Sequence, residues 1–282
     1  MNEIKHIAIK DLIAAPDNPF KVQMDAEMEQ LIESIAENGV ITPIIARETE
    51  NGKYEIISGH RRKFACEYLE LNTVPVLLRE LNRNEAGITL VDSNLQREHL
   101  LPSEKAFGYK LKMEALSAQG KRTDLTSSQV GTKLRTDAII GQQTGDSRNQ
   151  VQRYIRLTYL IPELLQMVDE RKIAFTPAVE LSYLTESEQQ TLLSEMEYAD
   201  CTPSLSQAIR LHRFSREGRL NADVIYAVMS EVKANQKEKL KIPAERVRKF
   251  FPKNYTPAQM EEEIVKMCES RYRKRQRDRD SR

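Results

Sequence analysis

Every strand-like stretch of this chain lies before residue 80, and from about residue 85 onward the pattern is helical throughout. The early apolar runs, at 6–9, 41–47, 54–57 and 74–78, are short and rich in β-branched residues, as half-buried strands require. Asn51-Gly52 between the second and third is a hairpin signal, because both residues tolerate positive φ. Pro16-Asp17-Asn18-Pro19 marks a further turn. Two helices are interleaved with these strands. In 25–38, Asp25 can cap the first turn, Met28, Leu31, Ile32 and Ile35 recur at helical spacing, and Gly39 closes the end. The other helix spans about 61–71. Beyond them, 85–95, 103–116, 137–144, 147–160, 162–171, 187–198, 204–216, 222–233 and 257–275 read as helices, with 120–131 as a polar loop. The expected fold class is therefore a small α+β N-terminal domain over 1–100, followed by an all-α domain over 101–200 and a helical C-terminal region over 201–282.

Composition excludes several classes. No apolar run approaches the roughly 18–20 residues of a membrane span, and residues 1–20 lack the pattern of a secretory leader, so no membrane partner is expected. The three cysteines, Cys66, Cys201 and Cys268, are odd in number and far apart, which fits reduced thiols in a cytoplasm; Cys66 reads as a packed core thiol. The histidines share no metal-ligand spacing with one another or with the cysteines. Basic and acidic residues nearly balance, 43 against 42, so any anion-binding role must come from local clusters rather than bulk charge. One such cluster is the tail from Arg271, which carries seven basic residues.

A second cluster is more specific. A strand, then Ser58-Gly59-His60-Arg61-Arg62-Lys63, then a helix is an arrangement suited to an anion. Glycine permits close backbone approach, and the first helical N–H groups point outward along the positive end of the dipole. Three basic residues at a helix start oppose that dipole, and such a local conflict is where a functional reason is expected.

The stretch 137–160 has helix-turn-helix spacing, with Gly145 in the turn and Asp146 expected to cap the second helix. On that helix Val151, Tyr154, Ile155 and Thr158 fall to one side, and Arg148, Asn149, Gln152, Arg153 and Arg156 form a stripe on the other. Arg, Asn and Gln are the residues that grip guanine and adenine edges bidentately, and no acidic residue occurs from 147 to 160. Ser147 at the helix start joins the candidate DNA contacts, with Lys133 and Arg135 ahead of the first helix as phosphate contacts.

Three boxes in register resemble the ParB/RepB/KorB family of partition proteins. They are Asn18-Pro19-Phe20 with Gly39-Val40-Ile41-Thr42-Pro43, then Ser58-Gly59-His60-Arg61-Arg62-Lys63, then Asn94-Leu95-Gln96-Arg97. The resemblance implies a ParB-like N-terminal domain that binds CTP with Mg²⁺. It implies Gly39, Thr42 and Pro43 near the base, Gly59, His60, Arg61 and Arg62 at the phosphates, Asn94 on the metal, and Gln96 and Arg97 close by. Two positions depart from the family pattern: His60 and Ser93 each stand where a glutamate is usual, with Asp92 one residue earlier. The resemblance thus implies nucleotide binding with, at most, weak CTPase activity. It further implies a homodimeric clamp on double-stranded DNA carrying a parS-like site, associated with a nucleoid or plasmid. A ParA-type ATPase would be its partner, although the family's arginine-rich contact for that motor is not evident in residues 1–15. The competing readings are a site-specific transcriptional regulator of a mobile element with the same fold, and an enzyme related to the N-terminal module.

Overall fold

The computed structural model describes residues 4–97, 100–123, 136–231, 244–252 and 254–280. The chain divides into two compact units, Met1–Glu231 and Val232–Arg282.

The first unit begins with a mixed five-stranded sheet. Its strands are β1 (Ile4–Ala8), β2 (Leu12–Ala14), β3 (Ile44–Glu48), β4 (Tyr54–Ser58) and β5 (Thr73–Leu78), in the order β1-β5-β3-β4-β2. β3 and β4 pair antiparallel across the Asn51-Gly52 turn, where Gly52 has φ 70°, and a register shift falls between Ile45 and Ala46. Adjacent Ile56 and Ile57 are both buried although they point to opposite faces, so the sheet is covered on both sides. On one face Ile44, Ala46, Ile56, Val74 and Val76 meet Met28 and Ile35 of α1 (Ala26–Asn38) and Ala65 and Cys66 of α2 (His60–Tyr68). On the other, Ile57 meets Phe20 and Ala86, Leu90 and Val91 of α3 (Arg83–Asn94).

Helix α4 (Pro102–Thr123) ties this module to the helices that follow. Leu111 packs into the α3 cluster, Tyr109 joins Ile140 and Val151, and Ala106 joins a large helical core. Polar contacts reinforce each link. Glu104 accepts from the Lys21 amide at 2.8 Å, buried Lys112 pairs with Asp92 of α3, and Ser103 donates its hydroxyl to Asp169 at 2.5 Å. The remaining helices of this unit are α5 (Thr136–Thr144), α6 (Arg148–Arg156), α7 (Pro162–Asp169), α8 (Phe175–Leu181), α9 (Glu186–Tyr198), α10 (Leu205–Arg216) and α11 (Ala222–Met229). In the second unit, short α12 (Ala244–Arg248) precedes α13 (Pro257–Asp280), and Arg248 donates to the Tyr255 carbonyl at 2.6 Å.

Several expected bounds move, for identifiable reasons. β1 gives way to a 3-10 turn at Ile9–Asp11, and this turn leads into β2, a three-residue edge strand too short to show any periodicity. β3 starts at Ile44 rather than 41, because Pro43 has no N–H to give the ladder and Arg62 occupies the Thr42 and Pro43 carbonyls. α2 stops at Tyr68, where Glu70 turns to φ 54° and the Leu71 amide folds back onto the Cys66 carbonyl at 3.0 Å. α4 continues through Thr123, so the first part of the expected loop at 120–131 is helical and the rest lies outside the described residues. α6 ends at Arg156 and tightens into a 3-10 turn at Leu157–Tyr159, short of the expected 160. Cys66, Cys201 and Cys268 are free thiols, and Cys66 is fully buried. Among the described residues no helix is long and apolar enough to cross a membrane, and no three His, Cys, Asp or Glu side chains gather as metal ligands.

Candidate functional site

Gly59 sits at the junction of β4 and α2 with φ 111°, a conformation costly for any residue with a Cβ. A Cβ there would also lie 3.2 Å from Ile44 Cγ1 and from the Arg62 guanidinium. No side chain caps α2, so its leading N–H groups remain available to a ligand.

Around that helix start the expected phosphate residues converge. Arg62 donates to the carbonyls of Thr42 and Pro43, at 2.5 and 2.6 Å, fixing the loop after Gly39 against the Gly59 turn. Gly39 itself ends α1 with φ 69°, its amide bonded to the Ile35 carbonyl. Arg61 forks onto Asp25, and Lys63 pairs with Glu67 one turn along at 2.7 Å. Burial depresses the pKa of Arg97, with Arg61 adding repulsion; the two guanidinia share one region. Burial likewise depresses that of Arg62. The structure therefore brings Gly39, Thr42, Pro43, Gly59, His60, Arg61, Arg62 and Arg97 to one place.

Asn94 is buried at the end of α3, with its amide nitrogen donating to the Leu90 carbonyl at 2.8 Å. That leaves its carbonyl oxygen as the metal-compatible atom, a hard donor of the kind Mg²⁺ accepts alongside nucleotide phosphates and waters. Asp92 does not replace the carboxylate missing at Ser93, because it is engaged by Lys112. Gln96 is exposed.

His60 opens α2 with Nε2 buried and without a hydrogen-bond partner. Burial, reinforced by the charges of Arg97 and Lys63, lowers its pKa to about 4. The sign of the linkage follows. Between the ordinary histidine value and about 4 the unfolded chain binds a proton that the folded one refuses, so stability falls as pH drops through that window. At pH 5 the loss relative to neutral pH is expected to be about 2 kcal/mol. Denaturant melts of the wild type and of His60→Gln check this, since the variant should lose that portion of the acid sensitivity.

The second candidate region is α5, the turn at 145–147, and α6. A Cβ on Gly141 would lie 2.5 Å from the Asp146 carbonyl oxygen, so glycine is what allows α5 to meet the turn. Gly145 has φ 75°. Ser147, not Asp146, caps α6, accepting from the Gln150 amide at 3.2 Å. The expectation for Asp146 fails because its carboxylate is drawn to α4, where it accepts from the Tyr109 hydroxyl at 2.5 Å and pairs with Lys105 at 2.7 Å. Burial, and then that bond to Asp146, pushes the Tyr109 pKa upward.

Along the expected reading stripe, Arg148 and Gln152 both donate to buried Asp137 at 3.2 and 2.9 Å, and Asn149 is exposed. Arg153 donates to Thr176 at 2.9 Å and lies over the Phe175 ring. Arg156 donates to the Ser182 carbonyl at 2.6 Å, with its guanidinium 4.4 Å and 4.0 Å from the rings of Tyr159 and Tyr183. Helical spacing identifies the stripe but not its distant anchors, which are Asp137 on α5, Phe175 and Thr176 on α8, and Ser182 and Tyr183 just past α8, up to 27 residues away in sequence. Lys133 and Arg135 lie outside the described residues.

Comparison with known proteins gives a family match for the N-terminal module. Residues 1–95 match the ParB N-terminal domain family. A nucleoid occlusion protein of Halalkalibacterium halodurans is 29% identical over 193 residues, covering 68% of this chain and 62% of the relative. Stage 0 sporulation protein J of Bacillus subtilis is 32% identical over 167 residues, covering 59% of this chain and 53% of the relative. The chain thus spans less than two thirds of the length of these relatives. A solved ParB of Caulobacter crescentus, C-terminally truncated and complexed to the centromeric parS site, is 24% identical with a TM-score of 0.43, covering 76% of this chain and 99% of that one. The ParB N-terminal domain match spans the module that holds the Gly59 turn, and both relatives align over more residues than that match covers.

Proposed function

We propose that this chain is a DNA-binding partition protein that takes CTP at the Gly59 turn and reads a parS-like site with α6. The observation that carries the reading is the gathering of Arg61, Arg62 and Arg97 around the uncapped start of α2, beside buried and unpartnered Nε2 of His60. Cations beside free helical N–H groups suit an anion, and a triphosphate would take the place of Asp25 on Arg61 while accepting from those N–H groups. Arg61 and Arg62 would hold the phosphates, the loop at Gly39, Thr42 and Pro43 would face the base, and Gln96 would stand at the rim. Asn94 would contribute an oxygen to Mg²⁺, which screens phosphate charge when bound. No carboxylate stands at position 93 to order a water, which supports retention of the nucleotide over its rapid hydrolysis. The chain would work as a homodimer on a two-fold DNA site, and CTP would close it into a clamp, with a ParA-type ATPase as the motor.

Calorimetry with CTP and Mg²⁺, repeated with DNA carrying the cognate site, tests the nucleotide half; no heat with CTP while DNA still binds would remove it. For the DNA half, Asn149→Ala is expected to cost about 1–3 kcal/mol and to relax base preference at one position. Lys133→Ala is expected to weaken all sequences alike and to lower the salt slope by about one. Binding titrations against a set of single-base variants check both. A footprint that spreads from the site with CTP supports the clamp, whereas one that stays fixed supports a regulator acting by occupancy.

A further inference from the structure

The Arg61 side chain is already engaged. Its Nη1 donates to Asp25 Oδ2 at 3.1 Å and its Nη2 to Asp25 Oδ1 at 2.7 Å, with Glu27 a further 3.6 Å contact. This end-on fork is the geometry in which a guanidinium grips a phosphate, and here a carboxylate fills it. Asp25 comes from a different part of the chain and has a second task, since Oδ1 also accepts the Met28 amide at 2.7 Å and so caps α1.

We propose that Asp25 acts as an internal stand-in for a nucleotide phosphate, holding Arg61 until a triphosphate displaces it and thereby setting the affinity of the site. This inference rests on the nucleotide reading above. A carboxylate that only positioned Arg61 would hold one edge of the guanidinium and leave the end-on pair facing the ligand. Here both terminal nitrogens face Asp25. The carboxylates of Asp25 and Glu27 also neutralise Arg61 beside Arg97, and the same charges repel an incoming polyphosphate. Binding therefore exchanges one anion for another at Arg61 rather than filling an idle site. Asp25 is a specificity-setting residue for charge, not for base.

Asp25→Asn separates the two roles of the residue, because asparagine caps a helix as well as aspartate does and lacks the charge. Calorimetry of the full chain with CTP and Mg²⁺ is expected to show binding about threefold to fivefold tighter in Asp25→Asn than in the wild type, the scale of a partly exposed ion pair. Inorganic tripolyphosphate should gain by the same factor, because the competition is at the phosphates. Thermal melts of the two proteins should coincide, showing α1 intact. Unchanged or weaker binding by Asp25→Asn, or a gain confined to CTP, would overturn the proposal. Arg61→Ala distinguishes the levels of failure. If CTP binds the wild type and Arg61→Ala weakens it while Asp25→Asn gains nothing, only the stand-in role falls. If CTP does not bind, or Arg61→Ala leaves it unaffected, the nucleotide reading of this site falls with it.

Discussion

Asp92→Ala is expected to destabilise the protein by about 3–4 kcal/mol, out of proportion to a half-exposed carboxylate. The reason lies in its partner. The Lys112 side chain is 1% exposed, on the face of α4 that packs against α3, and Asp92 is the carboxylate it meets. A surface ion pair contributes little, because both members regain water when it breaks. Lys112 cannot regain water without opening the interface between α3 and α4, so removing Asp92 leaves an ammonium desolvated and unpaired. Asp92→Ala combined with Lys112→Met should recover most of the loss, since methionine fills similar space without charge. Denaturant unfolding of both single variants and the double variant forms the cycle. A loss below about 1 kcal/mol for Asp92→Ala, or a double variant no better than the single, would show that the pair does not hold these helices together.

Gly141→Ala is expected to abolish sequence-specific DNA binding and to cost about 3 kcal/mol of stability. The added methyl would sit 2.5 Å from the Asp146 carbonyl oxygen and 3.4 Å from the Arg148 amide nitrogen. Both are backbone atoms, so no flexible side chain can swing aside. Relief requires the turn to withdraw from α5, and the turn is anchored on its far side by Asp146 to Tyr109 and Lys105. α6 would therefore tilt, carrying Asn149 out of register with any base it contacts. Gly145→Ala provides the comparison. That position has open space around it, so its cost comes from a φ of 75° alone and should be smaller. Band-shift titrations and melting of the two variants distinguish a packing fault from a turn fault.

Much of the fold is legible in the sequence, and the parts that are not share a cause. The β-branched runs in 41–47 and 54–57, the Asn51-Gly52 turn and the capped helix from Asp25 are local signals, and each yields its element in the structure. Gly59 with its basic neighbours was likewise legible, because glycine and arginine at a helix start are both locally unfavourable. What was not legible depends on residues distant in sequence. Nothing near Asp146 announces that Tyr109 will claim it, so the cap fell instead to Ser147. Nothing near Arg61 announces Asp25, which lies 36 residues away and reads simply as a cap. The Arg, Asn and Gln stripe on α6 is visible as a pattern, while its support from Asp137, Thr176 and Ser182 belongs to the tertiary fold.

Helix α4 carries a consequence for how such a chain can be inherited. Its residues Ala106, Tyr109 and Leu111 belong to three different apolar clusters, and Lys112 is matched to a carboxylate on α3. A recombination event that joined a foreign set of the later helices just ahead of Pro102 would bring an unmatched α4. The acquired helix would face Phe20, Leu90 and Val91 with the wrong relief, and would leave Asp92 without its cation. A joint just beyond α4 meets the same obstacle on its other face, where Tyr109 and Lys105 hold Asp146 and Tyr109 packs with Ile140 and Val151. The sheet module, α4 and the helices packed on its far side are matched as one heritable block.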